Sequence, residues 1–437
     1  MTMVQQELRQ QIDDLSSMIE AQRLVLSGLM NQRCQVQRQL NSVLDPMALL
    51  PLELQSKIFL HCLYHAGEGR IEGTPDPHLA PMLLLRVCQL WRDIALSTPE
   101  LWNYLTMHWS SPPSGANDSD SRFFRMWLKR SQSFPLTLEW EGSSVFANGT
   151  QDLIDECGGR VETLTLLLNS IPPSGSHILR AAAPFPSLRK LTINCSAGRF
   201  EIRDWMPILK TSPILTHVTF LGSFLGPEID TDSTAAFTLP ALREFHFSPN
   251  ASHPRVVNAT RILKYITLPA LEILHIRCHL NLVNGSEDLL AFLTRSSPPL
   301  RSLFFELDSL YWPSDSKDSL KYLRMVPNLT ELSLGAKDTI SVLKMLTRAS
   351  DFLPNIRHLT LNPMSFLQPE DYEIIVRMLD ARPLKSFRLN MMDPSAALRN
   401  ATLSRDPAPS EHMIRELRRI RDSGISVYVG AGERIFV

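Results

Sequence analysis

A chain of 437 residues has room for two or three domains and a large core, and its 44% apolar and 20% charged residues are the balance of an ordinary globular protein. A formal net charge of -1 supplies no field that would gather phosphate backbones or acidic membranes, which argues against general nucleic-acid binding. Six cysteines, Cys34, Cys62, Cys88, Cys157, Cys195 and Cys278, are scattered without a C-x-x-C pair and fit reduced thiols better than a disulfide framework or a zinc site.

The N-terminal MTMVQQELRQQIDD is polar and lacks the apolar core of a signal peptide, and no apolar run approaches the length of a membrane span. The expected location is cytoplasmic or nuclear, with no membrane partner. On that basis the N-x-S/T triplets at 148–150 and 284–286 read as chance. Within residues 1–44, the positions Leu8, Ile12, Leu15, Ile19, Gln22, Leu26, Leu29, Arg33, Val36, Leu40 and Val43 alternate steps of four and three, a heptad seam with nine of its eleven positions apolar. Ile12 and Ile19 in one register with Leu8 and Leu15 in the other favour a parallel two-stranded coiled coil, and hence a homodimer. A single amphipathic helix folded back on the next domain fits the pattern equally well. Asp45-Pro46 stops the helix.

Residues 45–110 hold two short amphipathic helices separated by an insert at 65–81 that is rich in Gly and Pro. In the first, Leu52, Ile58, Phe59 and Leu63 recur behind Pro51, a residue suited to a helix start. In the second, Leu84, Val87, Cys88, Trp91, Ala95 and Leu96 share one face, with Arg86, Gln89, Arg92 and Asp93 on the other. Helices this short cannot bury all their apolar side chains against each other, so part of that surface is expected to meet another chain.

These residues resemble an F-box. Its LP.E....IF..L opening matches Leu50, Pro51, Glu53, Ile58, Phe59 and Leu63, its VC..W centre matches Val87, Cys88 and Trp91, and Pro99, Leu101 and Trp102 close the motif. The resemblance implies docking onto a Skp-type adaptor of a cullin ligase through Leu50, Pro51, Leu52, Ile58, Phe59, Val87, Cys88 and Trp91. The insert at 65–81 departs from the family, most of whose members join the two halves directly.

Residues 111–133 read as a linker, SPPSGANDSDS, and a connecting helix in which Phe124, Trp127 and Leu128 fall at helical spacing. Asp118 and Asp120 mimic a metal pair, but with no third ligand they read as solvated. Strand-like alternation begins at Pro135-Leu136-Thr137-Leu138.

Residues 134–437 repeat. The pattern L-x-x-L-x-L, with Val, Ile or Phe allowed, starts at Val161, Leu188, Leu215, Leu242, Leu271, Leu300, Leu329, Ile356 and Leu384, at intervals of 27, 27, 27, 29, 29, 29, 27 and 28 residues. A proline stands within two residues before each unit from Leu188 onward: Pro186, Pro213, Pro240, Pro269, Pro299, Pro327, Pro354 and Pro383. Helical stretches are predicted at 287–295, 317–325, 340–348 and 370–379. A strand and a helix repeated at this period predict an α/β solenoid with an inner parallel sheet and outer helices. The pattern resembles the leucine-rich repeat family, although its asparagine ladder is kept only at Asn169 and Asn250 and is replaced at Ser196, Ser223, His279 and Asp308. Arg415–Arg421 and Ile425–Val429 are expected to cap the open end. The whole order resembles the F-box-like proteins with irregular leucine-rich repeats that are expanded in mushroom-forming fungi.

In such strands the residues between the apolar ones face the concave surface. That set includes Lys190, His217, Glu244, His246, His275, Phe304, Glu331, His358 and Arg388, a mixed-charge surface suited to a protein target. Cys157 reads as an inert thiol, and no phosphate-binding loop, H-E-x-x-H or G-x-S-x-G motif occurs. No enzyme activity, cofactor or metal is therefore expected. The expectation is a ligase substrate-recognition subunit with an unknown protein target, or else a non-ligase repeat scaffold self-associating through the N-terminal helix.

Overall fold

A computed structural model describes residues 3–63, 76–109, 118–142, 156–168, 185–201, 205–225, 236–249, 259–278, 285–307, 319–335, 339–363, 367–391, 408–432 and 434–437. It is a mixed α/β structure divided into two compact units, Met1–Tyr104 with Met126–Phe134, and Leu105–Arg125 with Pro135–Val437. Insert residues 65–75, the linker residues 111–117, both N-x-S/T asparagines Asn148 and Asn284, and Asn169, Asn250, His279 and Asp308 lie outside the described residues. Among those described, no helix is long and apolar enough to cross a membrane.

The first unit opens with helix α1, Met3–Leu44, which at a rise of about 1.5 Å per residue is roughly 60 Å long. It ends where Asp45 accepts a hydrogen bond from the Met47 N–H at 2.9 Å and starts a single 3-10 turn, Pro46–Leu49. Helix α2, Leu52–His61, follows directly on Pro51. It buries Phe59 and, unusually, Gln55, whose amide donates to the Met47 and Leu50 carbonyls at 2.6 and 2.7 Å. Those two bonds are what make a buried amide tolerable there.

The second helix expected in this unit is broken in two. Helices α3, Leu84–Val87, and α4, Gln89–Ser97, flank Cys88, which is extended with φ -153° and ψ 174°. Its sulfur accepts from the Trp91 N–H at 3.5 Å and so caps α4. The break rotates the two pieces out of a common stripe, and Val87 and Leu96, expected on the apolar face, are exposed. The tryptophan helix α5, Asp118–Arg130, is more than a connector. Its Trp127 meets buried Trp102 edge to face at 4.8 Å and donates to the Tyr104 carbonyl at 3.1 Å, while Arg130 lies 4.3 Å over the Trp102 ring.

The second unit is built on a sheet of 13 strands among the described residues. They are β1 Tyr104–Trp109, β2 Leu136–Gly142, β3 Val161–Leu168, β4 Lys190–Glu201, β5 His217–Leu225, β7 Glu244–Pro249, β9 Ile273–Cys278, β10 Ser302–Leu307, β11 Glu331–Gly335, β12 His358–Leu361, β13 Ser386–Met391, β14 Ser426–Ala431 and β15 Arg434–Ile435. Strands β6, Phe237–Thr238, and β8, Ile266–Thr267, form a separate pair. Each step from β2 to β14 is parallel, and the β14–β15 step is antiparallel. All three apolar positions of all nine repeat units are buried, none more than 5% exposed. The alternation read from the sequence is therefore the register of the sheet.

The prolines set the turn that feeds each strand. Where proline stands two residues before the first apolar position, the N–H of that position closes a four-residue turn with proline second, as from Leu188 to Phe185, Leu215 to Ser212 and Ile356 to Leu353. Where it stands one before, at Pro299 and Pro383, the turn tightens to three residues, with Leu300 bonded to Pro298 and Leu384 to Arg382. In β5, Gly222 at φ +97° lets the β4 backbone approach, since a Cβ there would stand 2.1 Å from the Cys195 carbonyl oxygen.

Between strands the two halves differ. Helices α7 Gly285–Ser296, α8 Ser319–Arg324, α9 Thr339–Arg348 and α10 Pro369–Ala381 occupy the four stretches predicted as helical. Among the described residues, the earlier repeats carry the five-residue α6, Met206–Lys210, and two 3-10 turns, Gly158–Arg160 and Ala259–Lys264. Helix α11, Glu411–Asp422, precedes β14. Buried Arg382 stitches two repeats by donating to the carbonyls of Leu346 at 2.8 Å, Phe352 at 3.0 Å, Ser350 at 3.3 Å and Ala349, acceptors in the last turn of α9 and just beyond it.

Two substitutions test this core by denaturant unfolding. Leu274→Ala is expected to cost about 2–5 kcal/mol by leaving a cavity in a fully buried site. Arg382→Met is expected to cost about 3 kcal/mol, because it leaves several buried carbonyls without a donor. Lys385→Ala, on an exposed side chain, should stay within about 0.5 kcal/mol.

Candidate functional site

Parallel strands in register turn the outward residues into rows running across the sheet. One row is Lys190, His217, Glu244, Ile273, Ser302, Glu331, His358, Ser386 and Ser426. The next, two residues along, is Thr192, Thr219, His246, His275, Phe304, Ser333, Thr360, Arg388 and Tyr428. All nine candidate target residues fall on these two rows. Lys190, His217, Glu244, Glu331 and His358 share the first, and His246, His275, Phe304 and Arg388 share the second.

The rows divide into three chemical stretches. Nearest the N-terminal strands the first row holds Lys190 and His217 and the second holds Thr192 and Thr219. In the middle, the His246 and His275 rings lie 5.2 Å apart and His275 packs on Phe304 at 3.8 Å, a column of three rings on adjacent strands. Glu244 bridges the edge of this column, with 3.3 Å to His217 Nε2 and 3.8 Å to His246 Nε2. Burial pushes the His275 imidazole down to about 4, with His246 and Arg277 adding to the effect. Burial also lowers His246, partly opposed by Glu244. The column is thus made of neutral rings at pH 7.

Beyond Phe304 the row drops to Ser333 and Thr360 and rises again at Arg388 and Tyr428, leaving a cavity of about 800 Å³ between the two tall ends. Its floor is small and polar, and the Ser333 hydroxyl has no hydrogen-bond partner among the described residues. Arg388 lies 5.0 Å over the Tyr428 ring, which holds the guanidinium at one wall. Asn390 donates to Asn362 at 2.8 Å, Ser302 donates to Glu331 at 3.0 Å, and Arg277 pairs with Glu306 at 3.2 Å. This geometry suits an extended polypeptide segment that offers an apolar group to Phe304, an acceptor to Arg388 and backbone groups to the amides and hydroxyls between them. Among the described residues no three His, Cys, Asp or Glu side chains gather as a metal-ligand set.

Sequence reasoning missed Ser333, Thr360, Asn362, Asn390 and Tyr428. Tyr428 was readable, because Val427 and Val429 alternate into the core and leave it on the open face.

The eight residues that the F-box resemblance marked in the first unit separate into two layers. Pro51, Leu52, Ile58 and Val87 are exposed and Leu50 is half-buried. Phe59 is 1% exposed and stacks on half-buried Trp91 at 5.1 Å, so it shapes the surface from beneath and is not open to contact. The Trp91 indole donates to Asp45 at 2.8 Å, and Cys88 serves as the cap of α4. Leu54, one turn before Ile58 on α2, joins the exposed apolar set without having been marked. Comparison with protein-family models and with curated proteins finds no match to this chain.

The ring column gives a pH dependence. An unfolded histidine titrates near 6.5, whereas His275 in the folded chain binds its proton only near 4, so between these values the unfolded state holds more protons. Stability is therefore complete above about pH 6.5 and falls as the pH drops toward 4. Urea midpoints measured across pH 4–7 should show a shallower fall in His275→Phe than in the wild type. His275→Ala at pH 7 should cost about 1 kcal/mol through loss of the ring contacts.

Proposed function

We propose that the chain is the substrate-recognition subunit of a cullin-based ubiquitin ligase. In this reading the first unit is an F-box-like module that docks on a Skp-type adaptor, and the second is a leucine-rich-repeat-like solenoid that captures the target protein on its open sheet face. The chain itself would do no chemistry.

The observation that carries the reading is the open apolar surface of the first unit. Leu52, Leu54, Ile58 and Val87 are 40–55% exposed, although they belong to a helical cluster with a formed interior of Phe59, Ala95 and Trp102. Side chains of this size left in water contribute little to folding their own unit, and covering them gains about 25 cal/mol per Å² of apolar area. The Phe59–Trp91 stack and the Trp91–Asp45 hydrogen bond hold that surface in shape, which accounts for aromatic residues at those motif positions. The sheet face supplies the second half of the reading, with ring column, cavity and Arg388 on one surface.

The test is binding of the purified chain to a purified Skp-type adaptor by calorimetry. Ile58→Glu/Val87→Glu changes exposed side chains only and should keep the melting profile while weakening adaptor binding at least tenfold. A folded wild type that does not bind the adaptor would remove the ligase reading in favour of a repeat scaffold.

A further inference from the structure

Helix α1 carries a seam that no other part of the described chain covers: its nine apolar positions between Leu8 and Val43 are each at least 49% exposed. A long helix in water draws its stability chiefly from packing an amphipathic face, so this seam calls for an occupant. The two polar seam residues, Gln22 and Arg33, decide which occupant fits.

In heptad terms Ile12, Ile19, Leu26, Arg33 and Leu40 stand at a, while Leu15, Gln22, Leu29, Val36 and Val43 stand at d. A parallel pair of copies builds each layer from the same residue twice. Arg33 would then face Arg33 inside an apolar seam, with two like charges and no acid at hand. An antiparallel pair sets each a residue against a d residue. Opposing Leu26 with Leu29 of the second copy then opposes Ile19 with Val36, Ile12 with Val43, and Leu15 with Leu40. β-Branched residues meet β-branched ones and leucines meet leucines. In the remaining layer Gln22 meets Arg33, where the amide oxygen accepts from the guanidinium. Sliding by one heptad either way strands Arg33 against Leu15 or Leu29 and Gln22 against Leu26 or Leu40. Only this register matches every layer between Ile12 and Val43.

Ile12 and Ile19 at a do favour a parallel pair over the first heptads, but the second half reverses the pattern, with Leu26 and Leu40 at a and Val36 and Val43 at d. The flanking cations raise no conflict, since Arg9 and Arg23 lie beside Leu44 and Met30 of the second copy in this register. We propose that α1 pairs with α1 of a second copy as an antiparallel two-stranded coiled coil centred between Leu26 and Leu29. The two chains then leave the coil at opposite ends, separated by roughly 50 Å at 1.5 Å per residue. This proposal does not depend on the ligase reading.

The experiment uses the full-length chain with Cys34→Ser and Cys62→Ser, which removes the two exposed thiols among the described residues, and the same background without an added cysteine serves as control. Sedimentation should give a dimer; a monomer, or any species larger than a dimer, overturns the proposal. Spin labels on Gln10→Cys should lie about 50 Å apart across the dimer, because residue 10 of one copy sits level with residue 45 of the other, 35 residues away at about 1.5 Å each. Labels on Ser27→Cys, near the centre, should lie within about 20 Å, roughly two helix diameters. Short distances at both sites mean a parallel coil and overturn it. Gln22→Glu supplies an independent readout, since it puts a carboxylate opposite Arg33 in the antiparallel pair but against its own copy in a parallel one. The dimer dissociation constant should fall severalfold; an unchanged or raised constant overturns the assignment.

Discussion

One buried residue per repeat holds the sheet in register. Leu188, Leu215, Leu242 and their equivalents each close the proline turn with the backbone N–H and enter the core with the side chain. The N–H of the next residue then bonds the preceding repeat, as Arg189 does to Glu162, Thr216 to Arg189 and Arg243 to Thr216, at 2.8–2.9 Å. The strand is thus indexed to its neighbour before it begins. A slip of one residue would put every leucine on the open face and every histidine in the core, so the alternation and the turn enforce each other. The aromatic column and the cavity both follow from that indexing, because side chains 27 to 29 residues apart in sequence become lateral neighbours.

This dependence explains which features the sequence made legible. Burial with period two, repeated at near-constant spacing behind proline, is written in residue type, and the nine core triads followed from it. The segments between strands are not written that way. Gly285–Ser296 and Thr339–Arg348 have an apolar face that can lie on the sheet, whereas the corresponding stretch before Leu242 holds the two-residue strand Phe237–Thr238. The break at Cys88 was hidden for a different reason. Leu84 to Leu96 keeps helical spacing throughout, and the break is held by contacts that no spacing encodes, among them the Trp91 N–H on the Cys88 sulfur and the Arg92 guanidinium on the Leu85 carbonyl. Trp127 likewise belongs with Trp102 through a contact that no local pattern encodes.

The cavity shows a further limit of reading residues singly. Phe304 and Arg388 were conspicuous as large outward side chains, but the space between them exists because Ser333 and Thr360 are small. A small residue signals nothing until its lateral neighbours are known. Tyr428 turns Arg388 from a solvated cation into a positioned one, since a guanidinium held over a ring loses less side-chain freedom on meeting an acceptor.

Polar residues carry specificity in both units through the cost of placing them wrongly. Arg382 is tolerated in the core because several carbonyls converge on it, so no other packing of that helix end would accept it. Gln22 and Arg33 stand on a seam that would otherwise accept several registers and either direction, since leucine and isoleucine match one another nearly anywhere. Removing them would deepen the apolar seam and also make those alternatives nearly equal in energy. Keeping them costs some affinity and leaves one pairing in which each polar group has a partner. The separation of the two polar residues along α1, 11 positions apart and symmetric about the Leu26–Leu29 layer, therefore sets the direction of pairing more firmly than the nine apolar residues around them do.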